Sequence, residues 1–313
     1  IVLKLRPDYA EVYIRLGNLF KLQRQYHKAE DSYRAAITVH PDSVDAYNNL
    51  GNLYKDKKRY GEAEEFYVVA LKLKPDHAVA YNNLGCLYKA KNQYEMAEKS
   101  FMTALKLEPD YVAAYNNLGN LFKDKNSYET SEQFYQAALK ISPNNVEVNS
   151  NLGNLYRERK RYKEAGFFIN LALKENSDFI DARLNQAALF LSLGLFKEGW
   201  VAYESRYHPD NLERQAFPPR INTAQWQGES LTGKSILIWS EQGIGDEVMF
   251  SSCLSDLEKT KCNIILVCEK RLQHTFKRSF PFAKVLEMDE TNSYQSIVSS
   301  LDYHCAIGSL PKF

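Results

Sequence analysis

The chain of 313 residues is long enough for about two domains. Its formal net charge of +1 gives no global electrostatic reason to expect nucleic acid or a membrane surface as partner. No apolar run approaches the roughly 18 residues that a membrane-crossing helix needs. Tyrosine is the unusual number, 21 residues against 16 phenylalanines, so the architecture uses tyrosine repeatedly.

Taken in chain order, the first element is a repeat. The motif NNLGNLY recurs with its glycine at Gly17, Gly51, Gly85, Gly119 and Gly153, and Ala187 at the next step. The same period carries Tyr26, Tyr60, Tyr94, Tyr128, Tyr162 and Phe196, then Ala29, Ala63, Ala97, Ser131, Ala165 and Gly199. It also carries Tyr33, Tyr67, Phe101, Tyr135, Ile169 and Tyr203, and it places Pro7, Pro41, Pro75, Pro109 and Pro143 at the boundaries. Small residues at the Gly51 and Ala63 registers let two antiparallel helices approach, and the tyrosines fill the space between them. Proline at the boundary stops one helix and starts the next. One such pair cannot bury its apolar face alone, so the pairs must stack into a superhelix with a groove.

This pattern resembles the tetratricopeptide repeat (TPR) in six 34-residue copies. The expected first domain is therefore an α-helical TPR superhelix over residues 1–207. In the first helix of each repeat one register holds Arg15, Asn49, Asn83, Asn117, Asn151 and Asn185; three residues on, another holds Asn18, Asn52, Cys86, Asn120, Asn154 and Ala188. Residues three apart share a helix face, so the asparagines form a ladder. An amide that both donates and accepts can pair with a peptide bond without reading its side chain. The ladder is similar to that of the O-GlcNAc transferases, which implies an extended peptide or protein partner in the groove. The competing reading is that the asparagines bond to neighbouring repeats and only set the superhelix. Lys21, Lys55, Lys89, Lys123 and Arg157 share a further register, open either to a carboxylate clamp or to cations favoured at helix C-termini.

The sixth repeat decays, with Ser177-Asp178 at its boundary, and runs into a proline-bearing, aperiodic stretch expected as a linker over 208–234. Beyond it SILIWS (235–240), NIILVC (263–268), KVLEM (284–288) and 303–307 read as strands. Segments 246–259 and 271–280 read as helices. Alternating strands and helices predict a parallel sheet in an α/β domain over 235–313.

The runs EGWVAYESRY, PPR, GKSILIWSEQGIGDEVMF and DYHCAIGSLP resemble bacterial TPR proteins carrying a C-terminal glycosyltransferase family 9 domain, similar to the heptosyltransferases. That resemblance implies an incomplete α/β Rossmann-like lobe, the acceptor side of a GT-B arrangement. It also implies that the chain, which opens without methionine and stops at SLPKF, is an inactive piece of a longer transferase. No cofactor is expected in this chain, and the nucleotide-sugar donor belongs to the implied parent. The acceptor would be a glycan, a lipid-linked sugar or a protein. A noncatalytic TPR scaffold with a degenerate α/β cap is the alternative.

WSEQGIGDEVMF (239–250) has the look of a phosphate loop, but Val248 stands at the third glycine position, and Asp246 and Glu247 would repel a phosphate at the helix start. Dinucleotide binding is therefore excluded. Gly243 and Gly245 would let an acceptor approach the backbone, and the resemblance makes Asp246 the candidate general base for inverting transfer. The alternative for Asp246 is a favourable first-turn charge, and Glu247 is expected to be only that. His304 is a second acid–base candidate, open also to a structural role. His208 reads as a surface residue. Trp226 and Trp239 read as packing anchors, and Lys270 and Arg271 as a solvated helix start.

Five cysteines, Cys86, Cys253, Cys262, Cys268 and Cys305, form an odd set without a CxxC pair. They read as small buried hydrophobes of a reducing, cytoplasmic compartment, and no metal site is expected. No signal peptide is visible.

Overall fold

A computed structural model describes residues 9–207, 223–241, 243–288 and 301–313. Pro7, His208 and the stretch 208–222 lie outside the described residues. The chain divides into two units, 1–176 and 177–313.

The first unit is a superhelix of paired helices, α1 to α10: Ala10–Leu22 with Tyr26–Val39, Val44–Asp56 with Tyr60–Leu73, Ala78–Ala90 with Tyr94–Leu107, Val112–Asp124 with Tyr128–Ile141, and Val146–Glu158 with Tyr162–Glu175. The prolines set the ends. Lys74 precedes Pro75 and sits at φ −138, ψ 90, the extended backbone that a following proline imposes, so the helix stops at Leu73. The turn inside each pair is as regular: Arg24, Lys58, Asn92, Asn126 and Lys160 all take positive φ between 56 and 59. At the second pair, Lys58 N–H donates to Lys55 O and Arg59 N–H to Tyr54 O, both at 2.9 Å, which satisfies two orphan carbonyls at the helix end.

Burial follows the period. Ala29, Ala63, Ala97, Ser131 and Ala165 are fully buried, as are Tyr33, Tyr67, Phe101, Tyr135 and Ile169. A Cβ added at Gly51 would stand 2.5 Å from Tyr67 Cε1, so glycine is what admits the ring. Successive repeats are also tied by acids. Glu30 accepts from Tyr54 Oη at 2.6 Å and Lys57 at 3.3 Å; Glu64 accepts from Tyr88 at 3.0 Å and Lys91 at 2.7 Å. Glu132 accepts from Tyr156 at 2.8 Å and Arg161 at 3.1 Å.

The second unit opens with a sixth helix pair, α11 Ile180–Ser192 and α12 Phe196–Tyr203, followed by a 3-10 turn, Glu204–Tyr207. Its sheet contains β1 Ala224–Gln225, β2 Ser235–Trp239, β3 Asn263–Cys268, β4 Ala283–Glu287 and β5 Tyr303–Ala306. All pairings are parallel, in the order β1-β5-β2-β3-β4. The strands are short and apolar because both faces are covered. Ile236, Ile238, Ile264 and Leu266 pack with Phe250, Leu254 and Phe276; Leu237, Ile265 and Val267 pack with Leu301. The second half of the stretch expected as linker takes part in this core: β1 pairs with β5, and Trp226 and Leu231 are buried. The helix expected over 246–259 is two, α13 Ile244–Ser251 and α14 Leu254–Glu258; α15, Lys270–Ser279, follows β3. Cys268 and Cys305 are buried and pushed up to about 12 by burial, while Cys86, Cys253 and Cys262 are half-buried.

Candidate functional site

The asparagine ladder lies on the first helices of the pairs; Asn18 is exposed and the rungs from Asn49 on are half-buried. Its amides are used in a fixed way. Asn83 donates Nδ2–H to Asn48 Oδ1 at 3.0 Å, Asn117 to Asn82 Oδ1 at 2.8 Å, and Asn151 to Asn116 Oδ1 at 3.0 Å. Each bond crosses one repeat boundary. Asn49 donates to Asn18 Oδ1 at 3.3 Å. In the second register the oxygen is the bound end: Asn52 Oδ1 accepts from Tyr67 and Asn120 Oδ1 from Tyr135, both at 2.7 Å. Among the described residues Oδ1 of Asn49, Asn83, Asn117 and Asn151, and Nδ2 of Asn52 and Asn120, have no hydrogen-bond partner. The ladder therefore contributes to the architecture with one end of each amide and presents an unfilled acceptor or donor with the other. It closes at Asn154, whose Nδ2 donates to Glu158 and whose Oδ1 accepts from Arg157. Asn185 lies in α11 of the second unit and is half-buried.

Apart from Lys55, the cations beside the ladder are committed elsewhere. Lys21 pairs with Asp56 at 2.9 Å, Lys89 with Asp124 at 3.0 Å and Lys123 with Glu158 at 3.9 Å. These ion pairs step from one repeat to the next, and Lys55 has none among the described residues.

In the second unit, the strand order reverses between β5 and β2, and the segments leaving their carboxyl ends flank the crevice where parallel sheets place ligands. Here the crevice is filled by a buried ion pair. Arg206 is 4% exposed and the Glu241 side chain 1%. Arg206 donates to Glu241 Oε1 at 3.2 Å and Oε2 at 3.3 Å, to Glu204 at 2.7 Å and to Ser309 Oγ at 2.8 Å. Its guanidinium lies 4.4 Å from the Tyr203 ring and 4.2 Å from that of Tyr207. Burial pushes the Glu241 carboxyl up, and the charge and hydrogen bonds of Arg206 only partly offset it. A Cβ at Gly308 would collide with Glu241 Oε1. Arg206, Glu241 and Gly308 each lie in a run that carries the resemblance, EGWVAYESRY, GKSILIWSEQGIGDEVMF and DYHCAIGSLP, but nothing in those runs says that the three meet.

Asp246 is the third residue of α13 and is half-buried. Gly243 is the N-cap, at φ −69 and ψ 165, so the Asp246 carboxylate does not cap the helix. Its side chain has no hydrogen bond or ion pair among the described residues. Gly243 and Gly245 are exposed, and a Cβ at either would meet nothing within 4 Å. The folded chain itself thus gives no steric reason for glycine at either position. Glu247 stands in the first turn as expected, but it is more than a first-turn charge. It is 2% exposed, accepts from Glu269 N–H at 3.2 Å, and its carboxyl is pushed up by burial. His304 Nδ1 accepts from Trp239 Nε1 at 3.3 Å, and burial lowers its pKa, so the ring is neutral. No hydrogen bond or ion pair joins His304 to Asp246 among the described residues. Lys270 pairs with Glu287 and Arg271 with Glu269. No cluster suited to a metal ion occurs among the described residues, and no helix described is long and apolar enough to cross a membrane.

Tetratricopeptide repeat models match residues 42–110, 119–160, and both 10–43 and 146–179. The repeats are tetratricopeptide repeats. Over 136 residues the chain is 36% identical to protein FlbA of Caulobacter vibrioides, a match covering 39% of this chain and 22% of FlbA. The chain thus spans well under half of that relative's length. Among solved structures, Pseudomonas aeruginosa PilF is 20% identical, with a TM-score of 0.54 over 67% of this chain and 98% of that one. The Cut9–Hcn1 hetero-tetramer of the APC/C is 18% identical, with a TM-score of 0.58 over 66% of this chain and 41% of that one. PilW, a type IV pilus biogenesis factor, is 19% identical, with a TM-score of 0.55 over 65% and 97%. At these identities the likeness is one of fold.

The second unit has a cleft of about 940 Å³ lined by Trp226, Leu231, Cys253, Asp256, Leu257 and Phe313 among others. Trp226 and Phe313 pack at 4.4 Å, and Trp226 Nε1–H donates to Glu229 O at 2.9 Å, so this tryptophan is a packing anchor.

Proposed function

We propose that the tetratricopeptide repeats are a protein-binding scaffold that holds an extended peptide by its backbone. The observation that carries this is the series of unfilled amide groups along the ladder: acceptors at Asn49, Asn83, Asn117 and Asn151, donors at Asn52 and Asn120. A peptide backbone presents the complementary series of N–H and C=O groups at every residue. Each bond made to such a peptide replaces one to water and is worth about 0.5–1.5 kcal/mol net, so several rungs together give useful affinity without side-chain selectivity. The test uses a fluorescently labelled threonine-rich peptide, which favours extended backbone. The protein should bind it, and replacing Asn83, Asn117 and Asn151 with alanine should weaken binding at least tenfold. Unchanged affinity in that variant leaves the ladder an architectural device alone.

A second reading concerns the α/β segment. Its support is the Asp246 carboxylate, without a side-chain partner among the described residues, beside two glycines at the carboxyl end of a parallel sheet. The resemblance to family 9 glycosyltransferases reads this as the acceptor side of a Rossmann-like lobe. In a full-length transferase of that kind Asp246 would take the proton of an acceptor hydroxyl on a glycan, lipid-linked sugar or protein as it displaces the nucleotide of a nucleotide-sugar, with inversion. Asp246→Asn in the full-length protein should abolish transfer of a radiolabelled sugar and leave peptide binding by the repeats intact. Transfer at the wild-type rate in that variant removes Asp246 from the reading.

A further inference from the structure

Between Lys261 and Lys284 the chain carries six lysines and arginines against a single acid, Glu269, although its net charge over 313 residues is +1. The helix α15 gathers most of these charges. At about 100° per residue, Lys270, Arg271, His274, Lys277 and Arg278 fall within about 120° of one another, and Leu272 and Phe276 point the opposite way. The fold agrees. Those five are exposed, while Leu272 and Phe276 are buried with Ile264, Leu266 and Val285 of the sheet. The outer face of α15 is therefore basic along its whole length.

The helix itself has no use for charges placed in this way. The first turns of α4, α6, α8 and α10 carry Glu62, Glu95, Glu129 and Glu164, as the helix dipole favours. The first turn of α15 carries no acid and opens on Lys270 and Arg271, at the end the dipole already makes positive. Elsewhere the exposed cations of helices pair with acids one turn away, as in Arg15–Glu11, Arg34–Glu30 and Arg161–Glu164. No acid lies within α15. Lys270 reaches Glu287 at 3.2 Å and Arg271 reaches Glu269 at 2.9 Å, but the two cationic side chains are 77% and 74% exposed. Pairs so exposed contribute little and leave the cations open to solvent. Lys277 and Arg278 have no ion pair among the described residues.

We propose that the outer face of α15 docks the protein on an anionic lipid bilayer. From Lys270 to Arg278 the helix rises about 12 Å. Its apolar side is used up against the sheet, so what it offers is a flat row of cations and no insertion into the acyl layer. Such a row matches the negative surface of a leaflet, where each lysine or arginine near the headgroups strengthens binding about fivefold. Duplex nucleic acid asks for a helix free to enter a groove, and α15 lies along the sheet.

The test is sedimentation of the chain with vesicles of phosphatidylcholine alone or mixed with phosphatidylglycerol. The wild type should bind the mixed vesicles about a hundredfold more tightly than the neutral ones. Lys277→Gln with Arg278→Gln should weaken binding to the mixed vesicles about twentyfold. Lys270→Gln with Arg271→Gln should do the same without lowering the thermal midpoint, since it removes cations from the first turn. Lys106→Gln with Lys140→Gln, two exposed cations of the repeats, should leave binding unchanged. Absence of binding, equal binding to both vesicles, or equal loss in the repeat variant and the α15 variants overturns the proposal. So does a labelled DNA duplex that binds more tightly than the mixed vesicles and is lost in the α15 variants, which would assign the face to nucleic acid.

Discussion

Tyr67 donates its phenolic hydroxyl to Asn52 Oδ1 at 2.7 Å, from the second helix of a repeat back to the first. Tyr33 does the same to Asn18, and Tyr135 to Asn120. Where the hydroxyl is missing, the pattern changes as it should: Phe101 faces a cysteine register, and Ile169 a register whose asparagine is held by Arg157 and Glu158. The tyrosine thus fixes which end of the amide is spent inside the protein. Tyr67→Phe keeps the buried ring and loses the bond, and should destabilise the repeats by about 1 kcal/mol in denaturant unfolding. An unchanged midpoint would mean that the hydroxyl contributes nothing to holding the amide.

Glycine has opposite meanings at two positions ten residues apart. A Cβ at Gly51 would run into the Tyr67 ring, whereas a Cβ at Gly61, inside α4, meets nothing within 4 Å. Gly51→Ala should cost about 1–3 kcal/mol by forcing the helices apart. Gly61→Ala should stabilise by about 0.5–1 kcal/mol through backbone entropy alone. Thermal unfolding of the two variants, read side by side, should move in opposite directions.

The buried ion pair of the second unit predicts a contrast among its charged residues. Arg206→Met leaves Glu241 buried without its partner and should cost about 3 kcal/mol or more. Glu247→Gln removes a carboxylate that burial already disfavours and keeps an oxygen to accept from Glu269 N–H, so it should be neutral or mildly stabilising at neutral pH. Comparable losses in both variants would contradict the assignment of the pair as the element that joins the 3-10 turn 204–207 to the segment after β2.

Acid should loosen the repeats in a defined window. Burial would raise the Glu30 carboxyl, but the hydrogen bonds from Tyr54, Arg34 and Lys57 outweigh it, and the net direction is down. The Lys91 hydrogen bond, against burial, lowers Glu64 likewise. Groups lowered in the folded state contribute stability that is fully present above their unfolded value, near 4.5, and lost as pH falls through the folded value. The contribution of these two carboxyls should therefore hold steady from neutral pH to about 5 and fall below it, whereas His77, lowered from 6.5 by burial, begins to cost stability as pH falls below that value. Combined Glu30→Gln and Glu64→Gln substitutions should flatten that fall. A fall below pH 5 that is as steep in the double variant as in the wild type would point to other groups.

The periodic part of this architecture is legible in the sequence because each contact is restated every 34 residues. The helix pairs, the proline stops and the Gly51–Tyr67 packing can all be read from it. The strand over Asn263–Cys268 is legible for a different reason, a short apolar run bounded by polar residues. Glu247 is not legible. α13 starts at Ile244 rather than Asp246, and two residues of phase, about 100° each, turn Glu247 from solvent toward the sheet. Arg206 and Glu241 lie 35 residues apart and are joined only by topology. The ladder shows its register in the sequence but not the use of its amides, since that depends on Asn48, Asn82 and Asn116, one position before each rung, reaching the next repeat.

The central claim, that each rung divides its amide between architecture and ligand, is tested most directly by Asn120→Asp. Aspartate keeps the oxygen that accepts from Tyr135 and removes the Nδ2 donor that has no partner in the chain. The variant should unfold within about 0.5 kcal/mol of the wild type and bind the threonine-rich peptide at least fivefold more weakly. Full peptide affinity at wild-type stability would contradict the claim.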